Sequence, residues 1–174
     1  MTNIVIIAIL FVYMVYSIYK AFVVFRRHSA ALKEFKADHA DARFFDVSKG
    51  WVISSVVMGI LCIVIAYVMP NMQVDSEKVT AYRALYVIIA LIFASMIFTS
   101  LAGKRMWFTD DGFFYGERFF KYKDVDRREP IGGVGSNSLR LIMKDSYAIT
   151  LNKKMNEKVD SEMKLWKTKK KLRK

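Results

Sequence analysis

The sequence predicts a membrane protein with three transmembrane helices, followed by a small antiparallel β-meander that a C-terminal amphipathic helix covers. Three observations support this fold class. Hydrophobic residues make up 54% of the 174 residues, more than is usual for a soluble domain. They form three runs, each close to the roughly 20 residues that a helix needs to cross a hydrocarbon core. Beyond residue 103 the apolar residues alternate with polar ones, as they do in half-buried strands.

The predicted transmembrane domain is residues 1–103, with spans at residues 4–25, 51–69 and 84–102. The first span contains one charged residue, Lys20, whose aliphatic stem can carry its ammonium to the headgroups. A cleaved signal peptide is the alternative for this span, but no basic residue precedes the apolar run, which is also long for a signal sequence. The only cysteine, Cys62, lies in the second span and is interpreted as a small packing residue.

The distribution of Lys and Arg predicts the orientation of these spans. Residues 26–49 contain six of them, residues 71–83 contain two, and residues 104–174 contain nineteen. Basic residues concentrate in cytoplasmic loops, so we expect the N-terminus outside and the C-terminus in the cytoplasm. Residues 104–174 then form a cytoplasmic α+β module.

The spans carry hydroxyl side chains but no acidic residue, and an ion pathway normally requires ionisable groups at membrane depth. We interpret the hydroxyls as groups that bond to the preceding helical turn. Two pairs of small residues, Ser55 with Gly59 and Ala90 with Ala94, favour close helix contact, either within the bundle or with another subunit.

The inner loop, residues 26–49, is rich in helix formers and predicts a short helix at the membrane interface or against the C-terminal module. Its residues His28, Asp38, His39 and Asp41 are the only local set that resembles metal ligands. No zinc-type spacing joins them, so we predict solvated loop residues and no metal site.

The C-terminal module is predicted to begin with strands separated by turns. The expected strands are residues 106–109, 113–115, 118–125, 139–143 and 147–151. Trp107, Phe113 and Tyr122 are the predicted core residues. A helix follows Asn152, because Met155, Val159, Met163 and Trp166 recur at helical spacing and give it one apolar face.

The chain ends in a polybasic tail with seven basic residues and no acidic residue in its last eleven positions. Basic residues near a membrane gain about 1 kcal/mol each from anionic lipid. The predicted lipid-binding residues are Lys164, Lys167, Lys169, Lys170, Lys171, Arg173 and Lys174. The alternatives are a solvated tail and a tail that contacts nucleic acid, and we favour lipid binding over both.

Two motifs suggest chemistry but do not support it. The glycine-rich segment 132–136 lacks the following helix of a dinucleotide site and the Gly-Lys-Ser/Thr of a phosphate-binding loop. The adjacent Asp110 and Asp111 lie in a predicted turn with no second catalytic group. We therefore predict no enzyme activity and no cofactor.

The order of these parts resembles the UPF0266 (YobD-like) family of small three-span bacterial inner-membrane proteins of uncharacterised function. The residues that carry the resemblance are Trp107 to Phe114, Tyr122 to Val125, Leu139 to Met143 and Ala148 to Leu151. The same strand and turn order is similar to the pleckstrin-homology-like tails of other small bacterial membrane proteins. The resemblance implies a bacterial cell membrane location and no catalytic residue.

Together these features predict a non-enzymatic scaffold or regulatory protein of the membrane. Its basic module would contact anionic lipid and a protein partner. The alternative is an accessory subunit of a transporter or a bacteriocin-immunity-type protector, which would act through its spans and the outer loop at residues 71–83.

Overall fold

The computed structural model describes residues 2–71, 76–131 and 138–172. The chain divides into two compact units. Residues 1–29 and 48–103 form the first, named here the membrane unit, and residues 30–47 and 104–174 form the second, named the β unit. The glycine-rich segment 132–136 and the tail residues Arg173 and Lys174 lie outside the described residues.

Three long helices are apolar enough to cross a membrane, which confirms a multi-pass membrane protein. They are α1 (Thr2–Asp38), α2 (Lys49–Val68) and α3 (Ser76–Gly103), and a 3-10 turn at Met69–Asn71 follows α2. The first and third predicted spans fall inside α1 and α3, and the second extends one residue past α2, to Met69 in the 3-10 turn. The separate short helix expected in the inner loop is instead the continuation of α1, because neither Gly nor Pro interrupts the helix formers between Phe25 and Asp38.

Contacts between helices in the membrane unit combine hydroxyls, aromatic rings and one small residue. The hydroxyls of Ser17 in α1 and Ser95 in α3 are 3.4 Å apart. The rings of Phe22 and Phe98 meet edge to face, with their centroids 5.6 Å apart. A Cβ on Gly59 would lie 3.6 Å from that of Phe93, so this glycine contacts α3 within the bundle.

The β unit contains two antiparallel sheets and the C-terminal helix, which confirms the predicted fold class. The first sheet has the order β1 (Arg43–Asp46), β2 (Arg105–Phe108), β3 (Gly112–Tyr115) and β4 (Arg118–Lys121). The second has the order β5 (Val125–Ile131), β6 (Ser138–Met143) and β7 (Ala148–Asn152). Helix α4 is Lys153–Leu172.

Strand β1 was not predicted, because it comes from the inner loop. It pairs with β2 so that Phe44 lies opposite Trp107 and Phe45 opposite Met106. A strand of four residues with adjacent aromatic side chains shows too little alternation to be recognised in the sequence. The helices α2 and α3 are therefore inserted in the chain between two neighbouring strands of one sheet.

The predicted single strand at residues 118–125 is divided in the structure. Strand β4 ends at Lys121, a 3-10 turn occupies Tyr122–Asp124, and β5 starts the second sheet at Val125. The backbone N–H of Tyr122 donates to the carbonyl oxygen of Asp111 at 3.0 Å, which holds this turn beside the β2–β3 turn. The apolar alternation continues through the turn, so no sequence pattern marks the change of sheet.

The three predicted core residues are buried. Phe113 and Tyr122, exposed by 0% and 2%, belong to the main core with the inner face of α4. Trp107 is 5% exposed and lies in a separate small cluster with Phe35 and Phe114. The end of α1 therefore packs on the first sheet through Phe35, whose ring centroid is 4.9 Å from that of Phe114.

Candidate functional site

The basic C-terminal helix α4 is fixed to the β unit along one face. The side-chain oxygen of Asn152 accepts a hydrogen bond from the backbone N–H of Met155 at 2.9 Å and so caps the N-terminus of the helix. Met155, Val159 and Met163 are buried, and Trp166 continues this face with its ring 6.0 Å from that of Tyr122. The predicted apolar face of the helix is confirmed.

A second apolar strip lies on the outside of α4. Leu165 is 54% exposed and Leu172 is 82% exposed. Residues seven apart lie on the same face of a helix, and Thr168 and Lys169 lie three or four positions from both leucines. Lys171 borders this strip, one position before Leu172. Exposed leucines bordered by lysines are typical of helices that lie at the surface of an anionic membrane.

The predicted lipid-binding residues do not share one face. Lys164, Lys167 and Lys171 follow each other at spacings of three and four and point away from the core face. The ammonium of Lys169 instead pairs with the carboxylate of Asp110 at 3.0 Å, and that of Lys170 lies 5.3 Å from the ring centroid of Trp166.

A cavity of about 700 Å³ opens beside the same helix. Its walls come from the 3-10 turn, the start of β5, the β6–β7 turn and the second half of α4. Seven basic and two acidic side chains line it: Lys123, Arg127, Arg128, Lys144, Lys164, Lys167 and Lys170, with Asp126 and Asp160. The cavity therefore carries an excess of five positive charges.

Arg128 is held in the cavity wall by two side-chain contacts. It donates to the carboxylate of Asp160, and its other terminal nitrogen lies 3.2 Å from the sulfur of Met163. Asp160 also attracts Lys164, although the ammonium and the carboxylate are 3.8 Å apart. One carboxylate thus pairs with two cations, so the lining of the cavity keeps its excess of positive charge.

Glu162 forms an ion-pair cluster that the sequence did not reveal. Its side chain is 4% exposed, and its carboxylate oxygens lie 2.8 Å from Arg43 of β1 and 2.9 Å from Lys158. Two cations satisfy both oxygens of this buried carboxylate, which would otherwise be costly. Arg43 is 119 residues away in the chain, so no sequence pattern joins the two.

The hydroxyl of Tyr122 is buried in the β unit without a hydrogen-bond partner among the described residues. Burial raises its pKa far above the ordinary value, and the carboxylate of Glu162 adds to the increase. The tyrosine is therefore neutral at every physiological pH.

The residues considered for metal binding or catalysis are not assembled into a site by the described structure. His39 stacks on the ring of Phe35, with centroids 4.6 Å apart, and His28 is buried. The described residues contain no group of three or more His, Cys, Asp or Glu side chains that could hold a metal ion. Asp110 and Asp111 lie in the β2–β3 turn, as predicted.

Comparison with known proteins identifies one family. DUF986, a family of proteins of unknown function, matches residues 2–130, and it is the same family as UPF0266. The resemblance seen in the sequence is confirmed. No curated protein and no solved structure gives a significant match. The matched range ends before β6, β7 and α4, so the basic helix and about half of the cavity wall lie outside it.

Proposed function

The chain belongs to the DUF986 (UPF0266) family of unknown function, and we propose that it is a non-enzymatic scaffold or regulatory protein of the bacterial cell membrane. In this proposal the β unit is cytoplasmic, and the outer face of α4 binds anionic lipid headgroups. The bound unit then presents a surface to a protein partner.

The observation that carries the proposal is the outer face of α4. Leu165 and Leu172 are exposed on a helix whose other face already fills the core, so the fold does not use them. Lysines border them, and the helix has no acidic residue after Glu162. Apolar residues can enter the interface while the ammonium groups meet lipid phosphates.

Two further observations support this function. A four-stranded sheet, a three-stranded sheet and a C-terminal helix occur in that order, which supports a pleckstrin-homology-like unit. An accessory-subunit role could depend on the pair of small residues Ser55 and Gly59. Both are already in contact within the bundle, because Ser55 is buried and Gly59 contacts Phe93. This weakens the alternative that the spans hold another protein.

The test uses the full-length protein in nanodiscs of phosphatidylcholine, with or without phosphatidylglycerol. A polarity-sensitive dye is attached at Thr168→Cys in a Cys62→Ala background, since the chain has one native cysteine. We expect phosphatidylglycerol to shift the dye emission to the blue. The shift should be lost in a Leu165→Gln, Lys171→Gln, Leu172→Gln variant, because the lysine contributes about 1 kcal/mol and the leucines add their apolar area.

The matched control removes charge from the first turn of the same helix, where Lys153 and Lys154 are exposed. Changing both to Gln should leave the blue shift intact. High salt should reduce it, since the screening length falls to about 3 Å at 1 M. An emission spectrum that is the same in both kinds of nanodisc would refute lipid binding by α4.

A further inference from the structure

The basic cavity of the β unit holds more positive charge than its own carboxylates can neutralise. Arg127 pairs with Glu129 at 2.9 Å, and Arg128 pairs with Asp160. Lys123, Lys144 and Lys167 form no ion pair with any residue in the described part of the chain. Their mutual repulsion is relieved by salt or by a bound anion.

These three lysines come from different elements. Lys123 lies in the 3-10 turn and Lys144 begins the β6–β7 turn, and the two turns are joined by a hydrogen bond of 2.8 Å from the N–H of Lys144 to the carbonyl of Asp124. Lys167 belongs to α4. The cavity therefore has cations on a wall formed by two turns and on a helix wall.

Arg128 supplies a guanidinium whose position is already fixed by its contacts with Asp160 and Met163. Its side chain is 27% exposed, so it remains accessible to a ligand. A guanidinium offers five N–H donors in a planar fork, which suits phosphate oxygens. Such charge-assisted bonds are about twice as strong as neutral ones.

We propose that this cavity binds a ligand with two linked phosphate groups, the chemistry of pyrophosphate. One phosphate would be held by Lys123 and Lys144 and the other by Lys167 and Lys170, with Arg128 contacting the bridge between them. An excess of five positive charges in the lining suits an anion with two phosphate groups better than a single phosphate. A soluble metabolite and the headgroup of a polyprenyl lipid both present this anion to the cavity.

Calorimetric titration of the full-length protein with inorganic pyrophosphate, in phosphatidylcholine nanodiscs, tests this site. We expect pyrophosphate to bind more tightly than orthophosphate or sulfate. Lys123→Gln with Lys144→Gln should weaken binding by roughly tenfold for each lysine. Both side chains are exposed, so the variant should keep the resistance of the β unit to trypsin in urea.

Lys153→Gln with Lys154→Gln removes the same charge outside the cavity and should leave the affinity unchanged. The proposal is overturned if pyrophosphate releases no heat, if sulfate binds equally well, or if both double variants lose affinity to the same extent.

A second titration places a polyprenyl pyrophosphate in the nanodisc. If this lipid displaces bound inorganic pyrophosphate, the site is open to lipid headgroups; if it does not, the site takes soluble pyrophosphates. The dye at position 168 reports bilayer contact separately, because Leu165, Lys171 and Leu172 do not line the cavity. If the protein shows the blue shift but does not bind pyrophosphate, only the proposed pyrophosphate site is wrong. If it binds pyrophosphate but shows no blue shift, only the proposed lipid binding by α4 is wrong.

Discussion

Replacing Gly112 with valine is expected to destabilise the β unit by about 3 kcal/mol or more. A Cβ at this position would overlap the carbonyl oxygen of Phe120 and lie 2.8 Å from Cζ of Phe119. Gly112 is paired with Lys121 in the β3–β4 ladder, so the new side chain cannot avoid the main chain opposite. The strands would have to separate, and the core around Phe113 would open with them.

The measurement is tryptic cleavage of the full-length protein in detergent as a function of urea concentration. Trypsin cleaves after Lys and Arg, which are numerous in the β unit, so cleavage there measures its unfolding. Gly116→Asn is the matched control. Gly116 has a φ of +63°, which Asn tolerates better than other side chains, and no atom lies within 4 Å of a Cβ built there. Equal midpoints for the valine variant and the wild type would contradict the close approach of β3 and β4.

The spans and the inner face of α4 could be predicted because each depends on a local pattern. An apolar run of sufficient length must be helical in a bilayer, and the recurrence of Met155, Val159 and Met163 fixes which side of α4 is buried. Local patterns also predicted that Phe113 and Tyr122 are core residues, because each lies in a short apolar segment next to a turn.

The remaining features depend on contacts between distant residues. Strand β1 is stabilised by pairing with β2, about sixty positions later in the chain, and a four-residue segment alone shows no strand periodicity. The cavity likewise combines two turns, a strand and a helix, and the seven predicted lipid-binding residues looked equivalent in the sequence. Only the fold separates Lys169, which pairs with Asp110, from Lys167, which lines the cavity.

Changing Phe35 to alanine is expected to free the end of α1 from the β unit at a cost of about 3 kcal/mol. The Phe35 side chain is 7% exposed, and its ring stacks on those of Phe114 and Phe119 at 4.9 and 5.5 Å. Offset ring pairs add stability beyond the apolar area that they bury. Hydrogen exchange of the backbone amides at residues 30–38 should therefore become much faster.

Phe44 provides the matched control, since it lies in β1 but is 52% exposed. Its replacement by alanine should cost less than that of Phe35, because half of its side chain is already in solvent, even though its ring lies 5.0 Å from that of Trp107. Exchange in the membrane unit should be the same in both variants, because its contacts, such as that of Ser17 with Ser95, do not involve Phe35. If residues 30–38 exchange at the wild-type rate in the Phe35→Ala variant, the end of α1 does not depend on the β unit for its order, and the assignment of residues 30–47 to that unit is wrong.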